Sequence, residues 1–242
     1  MFPVPGSRFW FWFWFGFGFG FGFAVRRSWF VVPLVALLSA FHLAAPFARS
    51  APRFRLVPLE ASGVIPYFID EGVEGSGFRR GDQALATWAL EEWARSTDRA
   101  LRFERAARPD AALLRFSWLP WAEDGALGRM APMLVEGRDG ASISIRPDER
   151  RFRPSIRRGV LEDPLLRDVV LYYICVHEIG HALGLSHSNN PRDVMWPGNN
   201  GVTLPVYQRY RHRLQTRADI PRSSWLSDGD LARFKESWFR VP

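Results

Sequence analysis

Three of the chain's five histidines fall in one short stretch, His177-Glu178-Ile179-Gly180-His181-Ala182-Leu183-Gly184-Leu185-Ser186-His187. Residues four apart lie one above the other on a single helical face, so the imidazoles of His177 and His181 can reach the same ion. Zinc takes nitrogen ligands in a tetrahedron, and a catalytic zinc site uses three protein ligands and leaves the fourth position to water. Gly184 stands where such a helix would stop, because glycine enters the left-handed conformation at little steric cost. The chain can then turn back and present His187 from outside the helix as the third ligand. Glu178, beside the first ligand, is the carboxylate placed to take a proton from the water held there. As ordinary polar residues of an amphipathic helix these histidines would have no reason to cluster. The other two, His42 and His212, have no metal-ligand spacing.

Eight residues beyond His187 comes Val194-Met195-Trp196-Pro197. The pattern H-E-x-x-H-x-x-G-x-x-H followed by a methionine resembles that of the metzincin metalloproteases. Gly180 before His181, Ser188 after the third histidine, and Leu226-Ser227-Asp228-Gly229-Asp230-Leu231 near the C-terminus are similar to the matrixin branch. The resemblance implies an α+β, zincin-like catalytic domain. Its twisted, mainly parallel sheet would have an antiparallel edge strand, with a zinc helix and a C-terminal helix. It implies one catalytic zinc on His177, His181 and His187, Glu178 as general base, and Met195 as a hydrophobic floor under the metal. It also implies a zinc-dependent endopeptidase acting on a protein or peptide, with substrate laid along Gly128, Arg129, Met130 and Ala131 and a pocket near Pro197 and Asn199. The alternative is a zinc-bound, non-proteolytic module that recognises a peptide or a cell-wall partner. Three departures stand out. Residues 119–146 contain no histidine for a second, structural zinc; Asn199 replaces the usual pocket tyrosine; and Pro197 excludes a tyrosine ligand two residues after Met195.

The elements that must position these residues follow from patterning. Val64 to Asp70 reads as a strand that ends in a Gly-rich turn. From Arg80 to Ser96 a helix carries Ala84, Leu85, Trp88, Ala89 and Trp93 on one face. Further strands are expected at Leu101–Glu104, Ala111–Trp118, Gly128–Leu134 and Ala141–Arg146, the last two separated by a turn over 136–140. Asp163 can cap the zinc helix, with Pro164 in its first position. Leu165, Val169, Tyr173 and Val176 are among the residues that make that helix apolar on most sides, as a buried helix should be. Ser227 is expected to cap the last helix, with Asp228 and Asp230 in its first turn. Arg209, Arg211, Arg213, Arg217 and Arg222 lie in a long segment read as a loop, either a wall of the substrate pocket or a solvated insertion.

Lys235 is the only lysine among 32 basic residues, and the net charge is +7. The arginines are interspersed with acids and no nucleic-acid motif accompanies them, so a nucleic-acid partner is not expected. Cys175, the single cysteine, cannot form an intrachain disulfide and reads as a buried apolar residue. Asp124, Asp139, Asp148 and Glu149 stand where calcium could bind, although exposed acids in turns are usually solvated.

Residues 1–48 are expected to form an aromatic, low-complexity leader plus a signal peptide or membrane anchor, ahead of a catalytic domain over 49–242. Phe alternates with Trp and then with Gly over 9–23, either a membrane-seeking segment or translated upstream sequence. Arg26-Arg27 then precede an uncharged run, Ser28 to Ala48, which suits a cleaved signal or an uncleaved anchor. Either version exports the domain, which is expected to be a monomer.

Overall fold

The computed structural model describes residues 64–123, 125–198 and 203–239. The leader, His42, Asp124 and Asn199 lie outside these residues. Five strands form one sheet: β1 (Val64–Ile69), β2 (Arg102–Arg105), β3 (Leu114–Trp118), β4 (Gly128–Val135) and β5 (Arg138–Ile145). Their order is β2-β1-β3-β5-β4, parallel throughout except for the antiparallel edge strand β4. The parallel β1–β2 pair needs a crossover, and helix α1 (Asp82–Ser96) provides it.

Alternation decides which sheet face is covered. Ile65, Tyr67 and Ile69 of β1, Leu114, Phe116 and Trp118 of β3, and Ala141, Ile143 and Ile145 of β5 are all buried. Among the helices that build this core are α1, through Leu85, Ala89 and Trp93, and α3 (Leu165–Ala182), which is buried on nearly every side. The Trp93 indole N–H donates to the Val176 carbonyl at 2.9 Å and so fixes α1 against α3. At the other end of this contact, fully buried Arg167 of α3 makes a bidentate ion pair with Asp82 (2.8 and 3.0 Å) and also reaches Glu149. A buried guanidinium is tolerated only when its donors are matched in this way.

Three expectations need correction. The β4–β5 connection is a two-residue hairpin, not a turn over 136–140. Val135 pairs with Arg138, and Glu136 and Gly137 take φ of 50° and 77°, the left-handed pair that matches strand twist. Asp163 does not open α3 alone; it first closes a separate helix, α2 (Pro154–Glu162), and its carboxylate then accepts the Leu165 N–H at 3.2 Å. Helix α2 buries only Ile156 and Val160, too short a stripe to stand out in the sequence. The segment read as a loop contains helix α4 (Thr203–Arg211) and a 3-10 turn at Arg217–Arg222, before the last helix, α5 (Asp228–Phe239). Pro205 and the many arginines hide α4, whose buried face is Val206, Tyr207 and Tyr210.

Candidate metal centre

Helix α3 carries His177 and His181 one turn apart and then stops. Gly184 takes φ of 90°. Its N–H donates to the His181 carbonyl and the Leu185 N–H donates to the Gly180 carbonyl, both at 2.9 Å. This is the 5→2 and 6→1 pair of a Schellman ending, which needs a residue at ease in the left-handed region. The reversal brings His187 back to the helix. One ring nitrogen from each of His177, His181 and His187 lies within 4.8 Å of the other two, the one such cluster of possible metal ligands among the described residues.

The ring orientations suit a cation. The Nδ1 atoms of His177 and His181 face the carbonyls of Val194 (2.7 Å) and Leu185 (2.8 Å). A carbonyl can only accept, so each Nδ1 carries the proton and each Nε2 offers a lone pair to the cluster. The Nε2 atoms of His181 and His187 are 3.1 Å apart, close to the roughly 3.3 Å that two nitrogens about 2.0–2.1 Å from a tetrahedral zinc would show. Burial pushes the His177 imidazole down to about 3 and lowers His181 and His187 as well. All three are therefore neutral at pH 7, the form that binds metal. The donor set fits zinc.

Glu178 leaves the helix toward the start of β4. Burial raises its carboxyl to about 7, against the Met130 backbone N–H and the charges of Arg129 and Arg146, which lower it. The approach depends on Gly128, where an added Cβ would lie 2.4 Å from Ile174 Cγ2 and 2.7 Å from Glu178 Oε1. Gly180 has the same role on the other side of α3. A Cβ there would meet the Met195 sulfur at 2.3 Å, so glycine lets the fully buried methionine pack directly under the helix.

Sequence reasoning missed what holds the methionine turn. The buried Asp230 carboxylate accepts the N–H groups of Val194 (2.8 Å), Met195 (3.2 Å) and Ser227 (3.1 Å). Ser227 Oγ in turn accepts the Asp230 N–H at 3.0 Å, the reciprocal pair of a capping box, so Ser227 caps α5 as expected. Asp193 accepts from Ser188, Ser227 and Arg233, and Arg233 also pairs with Asp230 at 2.9 Å. The one visible signal was a serine-aspartate cluster opening a helix, and it did not disclose its distant partners.

A cavity of about 400 Å3 opens beside His177, Glu178 and His187. Gly128 and Pro197 line it, whereas Arg129, Met130 and Ala131 lie along the β4 edge and are not among its lining. Helix α4 supplies Val206 and Tyr207 to its wall, so part of the 198–226 segment does shape the cavity. Three of that segment's five arginines are tied to the body: Arg209 donates to the Pro191 and Arg192 carbonyls, Arg211 pairs with Asp163, and Arg217 pairs with Asp168 and caps the Gly81 carbonyl. Asp148 and Glu149 are engaged by Arg150, Arg79 and Arg167. Cys175 is fully buried, and burial pushes its thiol well up, out of the reactive range.

Comparison with known proteins agrees with this geometry. Residues 78–206 match the family model for matrixin, peptidase family M10. Macrophage metalloelastase of Rattus norvegicus is 59% identical over 27 residues, 11% of this chain and 6% of that protein. Macrophage metalloelastase of Oryctolagus cuniculus is 59% identical over 37 residues, 15% of this chain and 8% of that protein. The chain thus spans less than a tenth of either relative. The family match is far broader, and it takes in four of the five strands, α1, α3 and the three histidines: the chain belongs to the matrixin family of zinc metalloendopeptidases.

Proposed function

We propose that the chain is a zinc-dependent endopeptidase whose metal is held by His177, His181 and His187 and whose general base is Glu178. The observation that carries this reading is the convergence of three neutral imidazoles beside one buried carboxylate at the mouth of a cavity. Bound zinc supplies Lewis acidity, which makes water nucleophilic at neutral pH and favours negative charge on a carbonyl oxygen.

The chain's own groups do the rest. Glu178 accepts a proton from the attacking water onto its carboxylate and later delivers that proton to the leaving amine nitrogen. Burial raises this carboxyl in the metal-free chain, which favours its holding the proton between the two transfers. The Val194 and Leu185 carbonyls keep the protons of His177 and His181 on Nδ1 and hold both rings in aim. The β4 edge, from Gly128 through Ala131, offers its backbone to an extended peptide by strand addition, which selects backbone shape before side chains. The cavity beside Glu178 takes the side chain that follows the cleaved bond.

The domain works outside the cytoplasm, a reading supported by the basic pair and uncharged run over 26–48. Among the described residues no helix is long and apolar enough to cross a membrane. A direct assay is casein cleavage by the zinc-loaded chain. Activity that a chelator abolishes and added zinc restores is expected. Cleavage indifferent to the chelator would remove the metal from the reaction, and a metal-loaded chain that binds peptides without cutting them would favour the non-proteolytic alternative.

A further inference from the structure

The cavity beside the metal centre is not uniformly apolar. Near the histidines its walls are Leu127, Ile174, Trp196 and Val206, but the segment that leads into α2 adds Arg151 and Arg153. Both arginines are exposed, and among the described residues neither guanidinium has a hydrogen bond or an ion pair. They differ in this from Arg150 just before them, which is locked on Asp148 at 2.8 Å. A third polar group faces the same space. The Tyr207 ring is buried against Tyr173, yet its hydroxyl has no hydrogen-bond partner among the described residues. Arg153 and Tyr207 line the same cavity, and the Arg153 charge is felt at that hydroxyl. That hydroxyl is therefore free to donate to an acceptor that enters the cavity.

We infer that this cavity selects a side chain with an apolar stem and an anionic end, glutamate above all, in the residue after the cleaved bond, with Arg151, Arg153 and Tyr207 as the specificity-determining groups. The inference rests on the peptidase reading for the direction in which substrate enters. The chemistry is that of a carboxylate between two guanidiniums and a hydroxyl donor, with the methylenes of the stem against the aliphatic wall. Because both guanidiniums are open to water, each contributes modestly. A preference of about fivefold for Glu over Gln is the scale expected of partly solvated pairs.

The test uses peptides that differ only at the residue after the scissile bond, with Glu, Gln, Leu or Arg there, and the zinc-loaded chain at pH 7.5 and low salt. Cleavage is read as kcat/KM, and binding is read separately on the Glu178→Gln variant by calorimetry. The expected result is Glu ahead of Gln by about fivefold in both readouts, with Arg last and the gap shrinking in high salt. The double variant Arg151→Glu, Arg153→Glu should reverse the order of Glu and Arg, and Tyr207→Phe should narrow the Glu-to-Gln ratio. Equal handling of Glu and Gln, or an order that the double variant leaves unchanged, overturns the inference. If no peptide is cut, the peptidase reading fails, while the binding arm still decides whether the cavity prefers an anion.

Discussion

The candidate metal centre is assembled from two halves held by different forces. His177, Glu178 and His181 sit on α3, an 18-residue helix whose apolar sides are sunk between the sheet and α1. His187 and Met195 come from irregular chain after Gly184, where the fixing groups are Asp193, Asp230, Ser188, Ser227 and Arg233. The helical half is positioned by burial, which is non-directional, and inherits its precision from helix geometry. The loop half has no such geometry and relies on directional hydrogen bonds to backbone N–H groups. Several contacts tie the halves together: the His177 Nδ1 and the Tyr173 hydroxyl both donate to the Val194 carbonyl, at 2.7 and 3.0 Å, the His181 Nδ1 donates to the Leu185 carbonyl at 2.8 Å, and Met195 packs against Gly180. A fault in the loop half therefore reaches the helical half through these contacts.

This division can be broken or sharpened by substitution. The largest effect should come from the ligands themselves. His187→Ala and His181→Ala are expected to weaken zinc binding equally, each by more than the roughly 10–100-fold that loss of an outer partner costs. A His187→Ala chain that titrates with zinc like the parent would reduce the loop half to scaffolding.

Next, Asp230→Ala strips the acceptor from three backbone N–H groups and from Arg233, and should cost about 2–4 kcal/mol of stability. Because it frees Val194, it should also weaken zinc binding. Leu171→Ala, in the fully buried part of α3, should cost a similar 2–4 kcal/mol and leave zinc affinity within a few-fold of the parent. Denaturant unfolding beside zinc titration would separate the two, and equal losses of affinity in both variants would erase the distinction.

Gly184→Ala tests the turn that connects the halves. Forcing a Cβ into the left-handed region costs about 1–2 kcal/mol, and the swing of His187 should make the loss of zinc affinity the more visible symptom.

The smallest effect is in the pH dependence of the zinc-free chain. Burial holds His177 down to about 3 against an ordinary 6.5. Below pH 6.5 the unfolded chain takes up a proton that the folded chain refuses, so stability is full above 6.5 and declines from there toward 3. Glu178, raised to about 7 from 4.5, acts oppositely, because the folded chain protonates first as pH falls through that interval. Thermal melts in a Glu178→Gln background remove this opposition and should show a decline between pH 6.5 and 5. That decline should shrink more with His177→Ala in the helical half than with His187→Ala, whose ring is more exposed. Identical profiles would mean that the two rings are equally desolvated.

The same contrast explains what could be read in the sequence. Periodic burial made β1, α1, β3 and α3 legible, and the spacing of His177, His181, Gly184 and His187 announced a shared ligand sphere because helix geometry converts spacing into position. Nothing comparable converts Asp230 into a partner of Val194, 36 positions away. Helix α4 was hidden for a related reason: Pro205 sits in its first turn, and only Val206, Tyr207 and Tyr210 mark its inner face. Asn199, expected near the pocket, lies outside the described residues.

The central claim is that three imidazoles hold a metal while Glu178 moves the proton. It is tested most directly by zinc content and peptide cleavage measured together on the parent chain and on Glu178→Gln. The account predicts one zinc per chain in both, with kcat/KM about 10²–10⁴-fold lower in the variant. A parent chain that stays metal-free after zinc loading, or a variant that cleaves at the parental rate, would contradict it.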